Sequence, residues 1–182
     1  MIQQQQPQKK KRAIVIVAIC FLAIMISSGY FVTKNKKSIP DPNTQSRYVP
    51  PEFKKQGELS FLQADGSEKL KLDMEVADNR DEQQTGMMRR EEMPETQCML
   101  FIFPDEQPRS FWMSNTKLPL DIIFVNSKKE IVSIQKNAMP FDESHYWSEE
   151  PAQYVVEVIG GFCDKHTIAP GDKISWVRFD KF

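Results

Sequence analysis

Hydrophobic and charged residues alternate without a break in KLKLDMEVA, residues 69 to 77, with Leu70, Leu72, Met74 and Val76 on one face and Lys69, Lys71, Asp73 and Glu75 on the other. Period-two alternation marks a strand with one face buried. ELSFLQ (58 to 63) precedes it across Ala64-Asp65-Gly66-Ser67 and predicts the other arm of a hairpin. The period then changes. DNRDEQQTGMMRR, 78 to 90, opens on Asp78 as an N-cap, carries Asp81 and Glu82 in its first turn and ends in two arginines, which predicts a short helix. Gly86 either ends that helix or permits close packing.

Strands resume after Pro94: MLFIF (99 to 103), FWMSN (111 to 115), LDIIFVN (120 to 126), EIVSIQK (130 to 136), QYVVEVI (153 to 159) and KISWVRF (173 to 179). Prolines 104, 108, 119, 140, 151 and 170 fall in the intervening loops. Short strands punctuated by turns, with one or two short helices, predict an α+β domain whose mainly antiparallel sheet is strongly curled or closed into a small β-barrel.

Two of these strands break the half-buried pattern. In LDIIFV, Leu120, Ile122 and Phe124 share one face and Asp121, Ile123 and Val125 the other, so Asp121 has no wet side. YVVEVI repeats the arrangement, with Tyr154, Val156 and Val158 opposed to Val155, Glu157 and Ile159. A buried carboxylate must neutralise or find a partner.

A different apolar pattern precedes the domain. AIVIVAICFLAIMISSGYFVT, residues 13 to 33, is an uncharged run of 21 residues between KKKR (9 to 12) and KNKK (34 to 37). About 20 apolar residues suffice for a helix to cross a bilayer, and the run continues through Tyr30, Phe31 and Val32, past the small residues that would end a signal peptide. The sequence therefore predicts a basic cytoplasmic tail (1 to 12), a single transmembrane anchor (13 to 33), a proline-rich flexible linker (34 to 57) and a globular domain (58 to 182) held outside the cytoplasm, in the periplasm or at the cell exterior.

Charge supports this division. The net charge of -1 conceals ten basic against two acidic residues in 1 to 57, and fourteen against twenty-three in 58 to 182. An acidic domain repels phosphate backbones, which disfavours nucleic acid as a partner. His145 and His166, the two histidines, have no HxH, HExxH or CxxC spacing around them, so no metal site is expected. The methionines at 87, 88, 93, 99 and 113 suit core filling better than copper. No GxSxG or phosphate-binding loop is present, and no cofactor is implied. Cys98 and Cys163 could form one bridge in an oxidising compartment, but their separation along the chain leaves this open. DESHYWSEEP (142 to 151) reads as a solvated loop whose Tyr146 and Trp147 could suit sugar stacking or a partner contact.

Taken in order, VAD with Arg80, QQTGMMRR (83 to 90), MLFIF, FWMSNT (111 to 116), PLDIIFV (119 to 125), YVVEV (154 to 158), Gly160-Gly161 and Gly171-Asp172 resemble the DUF192 family, also called UPF0127, over roughly residues 70 to 178. Cys98 departs from the glycine usual before Met-Leu-Phe in that pattern. The resemblance implies a small exported or membrane-anchored protein and carries no reaction, because the family is uncharacterised.

For the two interior acids, Arg80 is the leading guanidinium partner, and Asn115 and Thr116 could supply neutral hydrogen bonds. One reading is structural: Asp121 caps a turn after Pro119, and Glu157 pairs with Arg80. The other gathers Arg80, Asn115, Thr116, Asp121 and Glu157 into one ligand pocket with Trp112 as its apolar wall. Three roles follow: a tethered module binding a small polar or carbohydrate-like ligand, an enzyme using Asp121 or Glu157 as general acid or base with Arg80 stabilising charge, or an envelope accessory protein.

Overall fold

The computed structural model describes residues 50 to 179, which belong to the unit Tyr48–Phe182. Nine strands and two short helices follow in chain order: β1 (Gly57–Leu62), β2 (Glu68–Ala77), α1 (Arg80–Thr85), β3 (Gln97–Gln107), β4 (Ser110–Phe111), β5 (Leu120–Val125), β6 (Ile131–Ala138), β7 (Tyr146–Trp147), β8 (Ala152–Ile159), α2 (Phe162–Lys165) and β9 (Lys173–Arg178). Seven strands form one sheet in the order β6-β5-β8-β3-β2-β1-β9, and β4 pairs with β7 in a second, two-stranded sheet. The β2–β3 pair is parallel, and α1 lies in the connection between those two strands. The other pairs of the large sheet are antiparallel.

The expectation of a barrel or strongly curled sheet is overturned, because the sheet stays open. Its edge strands β6 and β9 share no ladder, and the contact between their ends is the single bridge Glu130↔Lys173 with flanking bonds such as Ile131 N–H to the Asp172 carbonyl. Closing a barrel takes a continuous stagger of paired strands, and the short edge strands do not supply one. The transmembrane helix expected at 13 to 33 lies outside the described residues. Among the described residues no helix is long and apolar enough to cross a membrane.

Each strand's alternation divides the interior into two clusters, one on each face of the sheet. Leu72, Met74, Cys98, Leu100, Ile123, Val125, Val156 and Val158 belong to the first, with Phe162 and Cys163 of α2 packed against them. Met99, Phe101, Leu120, Ile122, Phe124 and Val155 belong to the second, with Met87 and Met113 over them. A sheet buried on both faces explains why β5 is buried along its whole length and apolar at every position but Asp121.

The predicted helix is shorter than its polar pattern suggests. Asn79, not Asp78, is its N-cap: the Asn79 side chain accepts the Glu82 N–H at 3.0 Å, while the Glu82 carboxylate accepts the Asp78 N–H, just ahead of the cap, at 3.2 Å. Gly86 terminates the helix at φ 46° and ψ -131°, a conformation that a side chain disfavours. The Gln83 amide donates to the Ile102 carbonyl at 2.8 Å and pins α1 onto β3. The FWMSN strand shrinks to Ser110–Phe111, because Asn115 turns the chain at φ 57°. The expected loop 142 to 151 contributes its Tyr146–Trp147 partner.

Candidate ligand-binding cleft

Asp121 and Glu157 do not share a pocket. Across β5 and β8, Ile122 pairs with Glu157 and Asp121 with Val158, so Glu157 stands on the face of the second cluster and Asp121 on that of the first. Asp121 is fully buried and fully engaged. Its Oδ1 accepts the backbone N–H groups of Asn137 at 2.8 Å and Gly161 at 3.1 Å, and its Oδ2 accepts that of Cys163 at 2.8 Å. The carboxylate thereby joins the end of β6 to the first turn of α2, positions whose backbone donors have no ladder partner.

Glu157 is the opposite case. It is 4% exposed, and its Oε2 has no hydrogen-bond partner. Burial pushes its carboxyl up to about 8, against a smaller opposing pull from the Arg90 guanidinium. At neutral pH this side chain is mostly a carboxylic acid, able to donate as well as accept.

Register brings a second acid onto the same face. Glu75 pairs with Met99 across β2 and β3, and Met99 pairs with Glu157 across β3 and β8, so the two acids flank one methionine. Arg90 reaches this row from the loop after α1: its Nη1 lies 2.8 Å from Glu75 Oε2. The contact is an ion pair without hydrogen-bond alignment, and both Glu75 Oε2 and Arg90 Nε remain without hydrogen-bond partners. Arg90 is 6% exposed. A buried guanidinium with an idle donor is costly unless something else accepts from it.

These groups lie at a cleft of about 580 Å³ whose walls include Gln56, Glu75, Asp81, Thr85, Arg90 and Met99. Glu157 sits just behind that wall, with its Oε2 3.8 Å from where a Cβ on Gly86 would stand. The charged groups lining the cleft are Glu52, Glu75, Asp81 and Glu82 against Lys54 and Arg90, an acidic surplus. A second hollow of about 420 Å³ is lined by Gln84, Met88, Trp112 and Asn115, among others, and shares Pro51 and Thr85 with the first.

The remaining expected site residues separate accordingly. Trp112 and Asn115 line the second hollow; Trp112 is 48% exposed, with His145 nearly parallel at a centroid distance of 6.5 Å and Trp147 beyond it. Thr116 is buried; its N–H donates to the Met113 carbonyl in the same loop, and its carbonyl accepts the N–H of Phe141 from the loop after β6. Arg80 is exposed at the start of α1 and pairs with neither acid. The guanidinium that faces Glu157 is Arg90, in the same QQTGMMRR stretch. Nothing in the sequence marks Glu75, which lies on the charged face of an alternating strand, where solvent exposure is the default. Cys98 and Cys163 are both free and buried.

The DUF192 family profile, described as "Uncharacterized ACR", matches residues 61 to 176. Two crystal structures are similar. One is a "putative transcription regulator" from Sinorhizobium meliloti 1021, 32% identical with a TM-score of 0.64, the match covering 71% of this chain and 97% of that one. The other is a protein of unknown function from Novosphingobium aromaticivorans DSM 12444, 33% identical with a TM-score of 0.64 and covering 71% of this chain and 91% of that one. No curated protein matches the chain.

Proposed function

The chain belongs to the DUF192 family, and from that premise we propose that its domain is a binding module for a small polar ligand, held at a membrane on the extracytoplasmic side. The observation that carries the binding reading is Arg90: a charged side chain more than nine-tenths buried lines a cleft of ligand size and keeps an unpartnered Nε–H. The uncharged run of residues 13 to 33 with basic flanks supports the location. An active alkaline phosphatase fused to the C-terminus would support that side, and an inactive one would reverse it.

The binding test uses the full-length protein in a thermal shift screen against small polar metabolites and saccharides. A ligand that binds the native state raises the melting temperature with its concentration. R90K keeps the charge but removes the planar fork, so it is expected to reduce the shift while leaving the ligand-free melting curve close to that of the unaltered protein. A ligand response unchanged in R90K would place binding elsewhere.

A second reading is favoured by Glu157 alone. A carboxyl pushed up to about 8 is suited to general-acid work near neutral pH. Neither Asp121, consumed by three backbone donors, nor the exposed Arg80 can share that role. E157Q separates the readings: a binding module keeps its ligand affinity, whereas an enzyme keeps binding and loses turnover.

A further inference from the structure

We propose that the ligand is an uncharged saccharide chain that spans both hollows, with one sugar unit in the Arg90 cleft and the next against Trp112. This assignment rests on the binding reading and names its chemical class. The first argument is hydrogen-bond polarity. Arg90 Nε can only donate, whereas a Glu75 carboxylate oxygen can only accept. An anionic ligand would satisfy Arg90 but would face Glu52, Glu75, Asp81 and Glu82, with Lys54 the one other cation among the described residues of that lining. A cation would satisfy the acids but leave Arg90 Nε–H idle beside a positive charge. Hydroxyl groups accept from the guanidinium and donate to the carboxylate at once, and adjacent hydroxyls on a sugar ring match the spacing of an arginine–glutamate pair.

The second argument is the neighbouring hollow. It shares the wall residues Pro51 and Thr85 with the first, and it offers an exposed tryptophan, two amides (Gln84 and Asn115), the hydroxyl of Ser114 and the Arg89 guanidinium, a further donor for sugar hydroxyls. An indole presents a flat, electronegative face to the polarised C–H groups of a pyranose ring, while amides bond the hydroxyls at its edge. Both hollows are therefore polar with flat or apolar walls, and the shared walls of Pro51 and Thr85 set them side by side. A chain of two or more sugar units fits this arrangement, whereas a single small metabolite would use one hollow only.

The experiment is calorimetric titration of the full-length protein with neutral mono-, di- and trisaccharides of glucose and of N-acetylglucosamine. Oligogalacturonate, spermidine and the uncharged peptide acetyl-trialanine amide serve as comparators. The expected result is that a neutral disaccharide binds at least tenfold more tightly than its monosaccharide, and that oligogalacturonate does not bind. W112A should remove most of that chain-length gain, roughly tenfold for the loss of one aromatic contact, while sparing monosaccharide binding. R90K should weaken both. Equal affinity for monosaccharide and disaccharide, or a W112A protein indistinguishable from the unaltered one, overturns the two-hollow assignment. Binding of spermidine or the peptide through Arg90, with no saccharide bound, overturns the saccharide class and leaves the small-ligand reading standing. No response to any of these probes, together with no hit in the metabolite screen, overturns both.

Discussion

Gly86 lies directly over Phe101 and Glu157: a Cβ at that position would stand 3.2 Å from Phe101 Cζ and 3.8 Å from Glu157 Oε2. Glycine lets the helix that roofs the cleft stop and turn down towards Arg90 without strain. G86A combines a tight contact with backbone at φ 46° and is expected to cost about 1 to 3 kcal/mol. Urea denaturation measures this, and an unchanged midpoint would show that the turn relaxes freely.

Glu157 makes stability depend on pH. Its folded carboxyl titrates at about 8 against 4.5 ordinarily, so between those values the native state holds a proton that the unfolded chain has released. Its contribution to stability is therefore complete below about pH 4.5 and declines as pH rises through 8. E157Q mimics the neutral acid. The variant should match the unaltered protein near pH 5 and exceed it by a few kcal/mol at pH 9, as read from denaturation midpoints at the two pH values.

The two arginines considered for the site should behave oppositely. Arg80 is exposed, and R80A is expected to change stability by less than about 0.5 kcal/mol. R90A leaves the largely buried Glu75 without its ion-pair partner and removes the group that draws Glu157 downward, at an expected cost of about 3 kcal/mol. Comparable losses in the two variants would contradict the placement of the guanidinium.

Asp121 is expected to act on stability alone. D121A orphans the N–H groups of Asn137, Gly161 and Cys163, and at roughly 1 to 3 kcal/mol for each unsatisfied group the variant should lose more than about 3 kcal/mol. D121N retains the shape and should lose less. If D121N folds, its ligand affinity should equal that of the unaltered protein, because the carboxylate faces away from the cleft.

Burial raises both Cys98 and Cys163 well above the ordinary thiol range, with Asp73 adding to the first and Asp121 to the second. Neither should react with a maleimide at pH 7 until the protein unfolds. Peptide mass mapping before and after denaturant distinguishes the two states, and labelling of either cysteine in the native protein would refute its burial.

Much of the secondary structure could be read along the chain. Alternation marked β2 and the two doubly apolar strands β5 and β8, because a strand's side chains change face at every residue whatever surrounds it. The short edge pair of Ser110–Phe111 and Tyr146–Trp147 was harder, since two residues carry too little periodicity to show. The acidic charges in DESHYWSEEP hid one of its strands. The open sheet was also out of reach: whether the last strand meets the first edge depends on ladders between distant segments, which no local pattern encodes.

The candidate site divides along the same line. That Asp121 and Glu157 are interior acids follows from the residues on either side of them, a local matter that the sequence decides. Whether they meet depends on one residue of register between β5 and β8, and the structure pairs Glu157 with Ile122, which sends the two carboxylates to opposite faces. Arg90 rather than Arg80 completes the row because Asn79, not Asp78, begins the helix and Gly86 ends it early, turning the second arginine inward over Glu75. The sequence alone determined that Asp121 and Glu157 must be buried. Tertiary structure decided which groups are their neighbours, because face and register are set by the pairing of strands far apart in the chain.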